Sequence, residues 1–245
     1  MAEYTKLRGV VLSSVRYGES SLIVHIYTDA CGRQSFMVNG AARKGKRPGK
    51  LALFQPLSLL EIVATTPRKG SLLRTKEITT PFPGLYVDGD LRKGAIAVFL
   101  AELLSKTLRE EEPNPGLFEY LWSSIQILEA VEEGVANFHL VFMAQLSRFM
   151  GFYPTLSADS MDSIYFDIKN GVFRNSLPAH PIVMLPPLSH FLLKVFEGSF
   201  SNLKQIELNH LQRNFLVEGI VDYYQHHMDG VGTMRSLAVL KEVFN

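Results

Sequence analysis

Apolar residues in the first 80 positions come in short runs, too brief for helices and broken by turn chemistry. LRGVVLSSV (7–15), SLIVHIYT (21–28), RQSFMVNGA (33–41), LSLLEIVA (57–64) and LLRTKEITT (72–80) are rich in Val, Ile, Leu and aromatics. Between them lie Tyr17-Gly18-Glu19-Ser20, the segment 29–32, Pro48-Gly49 and the segment 67–70, all of turn-forming composition. Five short strands in this space predict a small antiparallel barrel. An oligonucleotide-binding (OB) fold and an SH3-like barrel both satisfy that spacing.

From Val87 the apolar period becomes helical. Residues 91–108 carry Ile96, Phe99, Leu100, Leu103 and Leu104 at helical intervals. Asn114 before Pro115 reads as a helix start, and 117–133 continues with Trp122, Ile125 and Leu128 until Gly134. A third helix, 137–150, stops at Gly151, and three helices with short links make a bundle. Residues 152–186 interrupt it: FYPTLSADS reads as loop, and IYFDIKNGVFRN as a hairpin turning at Asn170-Gly171. Segments 188–196, 210–228 and 234–243 return to helix. The expected organisation is α+β, with a barrel over 1–80 and a helical domain over 81–245 that carries a hairpin and loop insertion at 152–186.

Composition narrows the class. A chain of 245 residues has room for one or two domains with a real core. The single cysteine, Cys31, excludes an internal disulfide and a Cys-rich zinc site. No apolar run is long enough for a bilayer, and the N-terminus does not read as a leader, so a soluble intracellular protein is expected. The net charge of +1 hides a division. Residues 1–80 hold 13 Lys and Arg against 5 Asp and Glu, whereas residues 81–245 hold 12 against 19. A basic barrel calls for a polyanionic partner; an acidic helical half does not.

The sharpest local signal is GAARKGKR, 40–47, one residue short of a nucleotide phosphate loop. Arg47 stands where the Mg²⁺-binding hydroxyl belongs, and Pro48-Gly49 blocks the helix that should follow. The nucleotide reading loses. What remains is a glycine-flexible loop bearing Arg43, Lys44, Lys46, Arg47 and Lys50, whose mutual repulsion a nucleic-acid backbone would offset. Arg16 and Arg33 lie at strand ends, and Arg74 and Lys76 share a sheet face by their spacing of two. Tyr17 in its turn, and Tyr27 on the face of His25, are the candidate stacking residues. Other chemistry is weak. His226-His227 point to different helix faces, the glutamates of 110–112 and 129–133 read as solvated helix ends, and no catalytic set, metal site or cofactor motif stands out.

RGVVLSSVRYGESSLIVHIYTDACGR, followed by GAARK and LALFQPLSLLEI, resembles the N-terminal domain of the RecO recombination-mediator family. The likeness rests on Arg8-Gly9-Val10-Val11-Leu12, Tyr17-Gly18-Glu19-Ser20, Leu22, Val24, Thr28, Gly32-Arg33, Gly40-Ala41-Ala42-Arg43-Lys44 and Gln55-Pro56. It is specific over 1–65 and looser beyond, where Gly151-Phe152-Tyr153-Pro154 resembles the family's join between helical bundle and zinc ribbon. The resemblance implies an OB fold for the barrel. It further implies a non-enzymatic protein that binds single- and double-stranded DNA, anneals strands, and works with RecR to load RecA onto DNA coated by single-stranded DNA-binding protein. A cytoplasmic, nucleoid-associated location goes with that role. Many family members carry four cysteines after the Gly-Phe-x-Pro motif, and this chain has none there. The hairpin at Asn170-Gly171 is then a zinc-free remnant, expected to be held by packing alone.

The leading expectation is a DNA-repair mediator with Arg16, Tyr27, Arg33, Arg43, Lys44, Lys46, Arg47, Lys50, Arg74 and Lys76 at its nucleic-acid surface. The alternative is a helical interaction module whose basic barrel binds RNA or protein. In the acidic half, Arg148 and Lys194 have apolar neighbours suited to the acidic, apolar-ended C-terminal tail of single-stranded DNA-binding protein.

Overall fold

A computed structural model of the chain describes residues 4–40, 50–65, 72–82, 84, 89–157 and 164–244. It divides into two compact units, Met1–Glu129 and Ala130–Asn245. The first holds strands β1 (Tyr4–Tyr17), β2 (Ser21–Thr28), β3 (Gly32–Val38), β4 (Leu59–Thr65) and β5 (Leu73–Thr79), then helices α1 (Leu91–Thr107) and α2 (Pro115–Ala130). The five strands close in the order β1-β2-β3-β5-β4. With helices following, this is the OB-type barrel of an α+β protein.

Closure depends on β1, which serves two neighbours. Its first half pairs with β4 and its second half with β2. The change falls at a bulge between Val11 and Ser13, where Val10, Val11 and Leu12 are all buried. A bulge bends the strand and lets consecutive side chains turn inward, which simple alternation forbids. Leu7, Val11, Val24, Ile26, Phe36 and Ile62 fill the barrel. A 3₁₀ turn, Lys50–Phe54, leads to Leu57, whose N–H donates to the Val11 carbonyl at 2.8 Å.

Helix α2 starts where expected, with the Asn114 side chain accepting from the Leu117 N–H at 3.0 Å. Helix α1 ends against the barrel: the Ser105 hydroxyl donates to the Leu12 carbonyl at 3.3 Å. Strand β5 ends at Thr79, and the first compact unit runs on to Glu129.

The second unit comprises α3 (Phe138–Phe149), strands β6 (Thr155–Ser157), β7 (Tyr165–Asp167), β8 (Val172–Arg174) and β9 (Val183–Met184), then α4 (Leu188–Glu197), α5 (His210–His227) and α6 (Ser236–Val243). The β7–β8 hairpin turns at Asn170-Gly171, with Gly171 at φ +66°. It is more than a hairpin, because β6 and β9 extend it to a four-stranded sheet ordered β6-β8-β7-β9. Nor is packing its only support. Phe166 and Phe173 cluster with Phe196 and Tyr223, while beneath the turn the buried Asp167 carboxylate accepts from the Asn170 N–H (3.0 Å) and Nδ2 (2.9 Å). His180 Nε2 and Arg174 Nη1 lie 3.2 and 3.8 Å from that carboxylate, His180 at an angle too poor for a hydrogen bond.

Candidate nucleic-acid interface

Alternation along β2 and β3 turns Ile23, His25, Ser35 and Met37 away from the barrel core. His25 and Ser35 are cross-strand partners, with Nδ1 and Oγ 2.9 Å apart. Leu72 before β5, with Arg109 and Glu111 after α1, completes a cleft of about 400 Å³ over this face. Burial, aided by the Arg33 charge, lowers the His25 pKa and so disfavours its charged form. The cleft mixes apolar Ile23 and Leu72 with the charges of Arg33, Arg109 and Glu111, and further cations stand at its borders.

One border is the β1–β2 hairpin, where Arg16 and Tyr17 are both exposed, Tyr17 at 55%. Beyond it, Asn39 and Gly40 follow β3, and the Ser21 hydroxyl donates to Asn39 Oδ1 at 3.2 Å. Arg43, Lys44, Lys46 and Arg47 lie outside the described residues, as does the side chain of Lys50. The other border is β5. Arg74 and Lys76 are exposed there, Arg74 opposite Met37 of β3.

Two expected contributors are committed elsewhere. Tyr27 does point to the His25 side of β2, but α2 covers it: the ring is 3% exposed and stacks on Phe118 at 6.5 Å. Burial, with the nearby Glu110 charge, pushes its phenol up to about 12. It offers no free face for a base. Arg33 bridges to α1, its Nη1 donating to the carbonyls of Ser105 (2.8 Å) and Leu108 (3.1 Å), and its backbone N–H to Glu110 (2.9 Å). The guanidinium therefore satisfies helix-end carbonyls. Both roles depend on residues about 70 or more positions away, which local pattern does not reveal.

The opposite wall has different electrostatics. A cleft of about 480 Å³ outside β1, β4 and β5 is lined by Lys6, Arg8, Asp29, Glu61 and Glu77. Arg8 is held by Asp29 at 3.3 Å and by Glu119, and lies over the rings of Phe118 and Trp122 at 4.9 and 5.4 Å. Three carboxylates make this wall a poor surface for phosphate. At its β5 end, however, Tyr4 is exposed with Lys76 Nζ 5.1 Å from its ring centre. Tyr4 lies upstream of the strand expected from residue 7; its place two residues before outward Lys6 is the available signal.

In the second unit, Arg148 near the end of α3 and Lys194 on α4 are exposed. The Arg148 guanidinium stacks 3.7 Å from the Tyr153 ring centre, and Tyr153 donates its hydroxyl hydrogen to the Phe196 carbonyl at 2.7 Å. Gln145 ties the same helices together by donating to the Phe196 and Gly198 carbonyls. Lys194 Nζ lies 6.0 Å from the Phe191 ring centre. Among the described residues no cluster of three or more His, Cys, Asp or Glu is arranged to hold a metal, and no helix is long and apolar enough to cross a membrane.

An OB-type barrel with a basic border, joined to helices and a small sheet, defines the class. Residues 1–82 match the family described as Recombination protein O N terminal, and residues 88–236 match Recombination protein O C terminal. The chain belongs to the RecO family. It is 38% identical over 241 residues to the DNA repair protein RecO of Bacteroides fragilis, covering 98% of this chain and 99% of that one. The proteins of the same name from Phocaeicola vulgatus and Flavobacterium johnsoniae are 36% and 34% identical over 240 residues, again covering 98% of this chain and 99% of each relative.

Proposed function

We infer that this protein is a non-enzymatic DNA-repair mediator whose barrel binds single- and double-stranded DNA through the β2–β3 face and its borders. The observation that carries the reading is the contrast between two barrel walls. One is bordered by Arg16, Arg74 and Lys76 and carries Glu111 as its cleft's one carboxylate among the described residues, while the other gathers Asp29, Glu61 and Glu77 beside Lys6 and the paired Arg8. Phosphate contacts position a strand without reading its sequence, which leaves base edges available for pairing with a complement. That is the physical requirement for strand annealing. Loading of RecA together with RecR onto DNA coated by single-stranded DNA-binding protein is the role that family membership supports, and the cytoplasmic nucleoid is its setting.

The loop of Arg43, Lys44, Lys46, Arg47 and Lys50 belongs to this proposed surface by its charge. Replacing Arg43, Lys44, Lys46 and Arg47 together by Ala should weaken labelled single-stranded DNA binding and slow annealing of complementary oligonucleotides, with the unfolding midpoint unchanged. Wild-type affinity and annealing rate in that variant would remove the loop from the interface. For the second unit, we place the acidic tail of single-stranded DNA-binding protein at the α3–α4 edge, where Arg148 and Lys194 supply cations beside Tyr153, Phe149 and Phe191. A tail-peptide titration of the full chain should lose affinity in the Arg148→Ala, Lys194→Ala double variant. Undiminished affinity rules out that assignment.

A further inference from the structure

The proposed interface lacks the stacking residue that alternation assigned to it, because Phe118 covers Tyr27. Tyr17 stands exposed at the β1–β2 border of the β2–β3 face, and Tyr4 is the exposed ring at the opposite, β5 border. Its ring is 48% exposed although it stands in a barrel strand. A lone exposed aromatic calls for no explanation. Tyr4 is not alone. Thr65 of β4 lies directly opposite it, and the Arg74 N–H donates to the Thr65 hydroxyl at 3.2 Å. Arg74 in turn lies opposite Met37 of β3. Tyr4, Thr65 and Arg74 therefore form a continuous path across the outside of the barrel, leading to the β2–β3 face.

Lys76 completes the arrangement through a backbone irregularity. The β4–β5 register passes from Val63↔Glu77 to Ala64↔Thr75, leaving Lys76 as the extra residue of a bulge. Its ammonium sits 5.1 Å from the Tyr4 ring centre. The pair thus combines a π surface with an exposed cation, and Arg74 adds a second cation on the path. Bases stack on aromatics whatever their identity, while the cations track the backbone.

We propose that Tyr4 is a stacking platform for an unpaired base of single-stranded DNA, with Lys76 and Arg74 meeting the phosphates on either side. This rests on the reading of the barrel as a DNA-binding module. Duplex DNA, whose bases are already stacked, gains nothing from Tyr4. The platform therefore discriminates between strand states.

Fluorescence anisotropy with a labelled oligothymidine and a labelled duplex tests this on the full chain. Tyr4→Ala and Tyr4→Leu should each weaken oligothymidine binding about fivefold or more. Tyr4→Phe should bind as wild type, and duplex affinity should be unchanged in all three. Salt dependence separates the roles: Tyr4→Leu keeps the wild-type slope, whereas Lys76→Gln makes it shallower by about 0.7 for single strands. Tyr4→Leu retains apolar bulk, so it remains informative should Tyr4→Ala fail to fold. Oligothymidine binding unchanged in Tyr4→Leu overturns the platform but leaves the DNA-binding reading intact. Equal weakening toward duplex overturns it as well. Failure of the wild-type chain to bind either DNA overturns both.

Discussion

Gly32 and Arg33 adjoin in sequence and serve one junction. Gly32 sits at φ +61°, and a Cβ there would collide with the backbone carbonyls of Glu110 and Glu112. Arg33 then reaches the carbonyls at the end of α1. Gly32→Ala should lower the unfolding free energy by at least about 1 kcal/mol from the left-handed backbone alone, and further from the clash, in a urea titration. Arg33→Ala should cost about 1.5–3 kcal/mol, since it removes hydrogen bonds from a charged donor, and should change the salt slope of DNA binding little. Arg16→Ala should do the reverse, leaving stability within about 0.5 kcal/mol and making the single-strand slope shallower by about 0.7. If Arg33→Ala flattened the slope instead, Arg33 would return to the interface. Charge and position along a strand are legible in sequence. The partner that absorbs the charge is not.

At the scale of elements, alternation and helical period are legible for the five barrel strands and six α-helices among the described residues, because each buries a face of regular period. The Asn114-Pro115 start and the Asn170-Gly171 turn were legible for the same local reason. Strands β6 and β9, three and two residues long, carry too little pattern to be seen, and they owe their place to β8 and β7. Their small sheet rests partly on Asp167. Burial alone would raise the pKa of that carboxyl, but the Asn170 side-chain and backbone hydrogen bonds, with His180 and Arg174 nearby, bring it below the ordinary value. A lowered folded-state pKa means the stabilisation is complete above the unfolded value of about 3.9 and is lost as pH falls through the folded one. Asp167→Ala should lower stability at pH 7 by about 1–3 kcal/mol, the cost of leaving its partners unmatched. The difference from wild type should shrink as pH drops below about 4. A difference that stays constant down to the lowest pH would show that the charge plays no part.

For the whole molecule, the division of charge is the main result: 13 Lys and Arg against 5 Asp and Glu in residues 1–80, and 12 against 19 in the rest. The barrel also distributes its charge unevenly, with Asp29, Glu61 and Glu77 outnumbering Lys6 and Arg8 in one cleft and Arg16 and Arg74 bordering another. Sequence revealed the first asymmetry but not the second, which appears only when register assigns each charge to a wall. Both lead to the claim that the barrel engages a phosphate backbone. Affinity of the full chain for labelled single-stranded DNA, measured from low to moderate salt, tests that claim most directly. With about four to six phosphates engaged, log K should fall against log salt with a slope of roughly −3 to −4. A slope near zero, or no binding at the lowest salt, would contradict it.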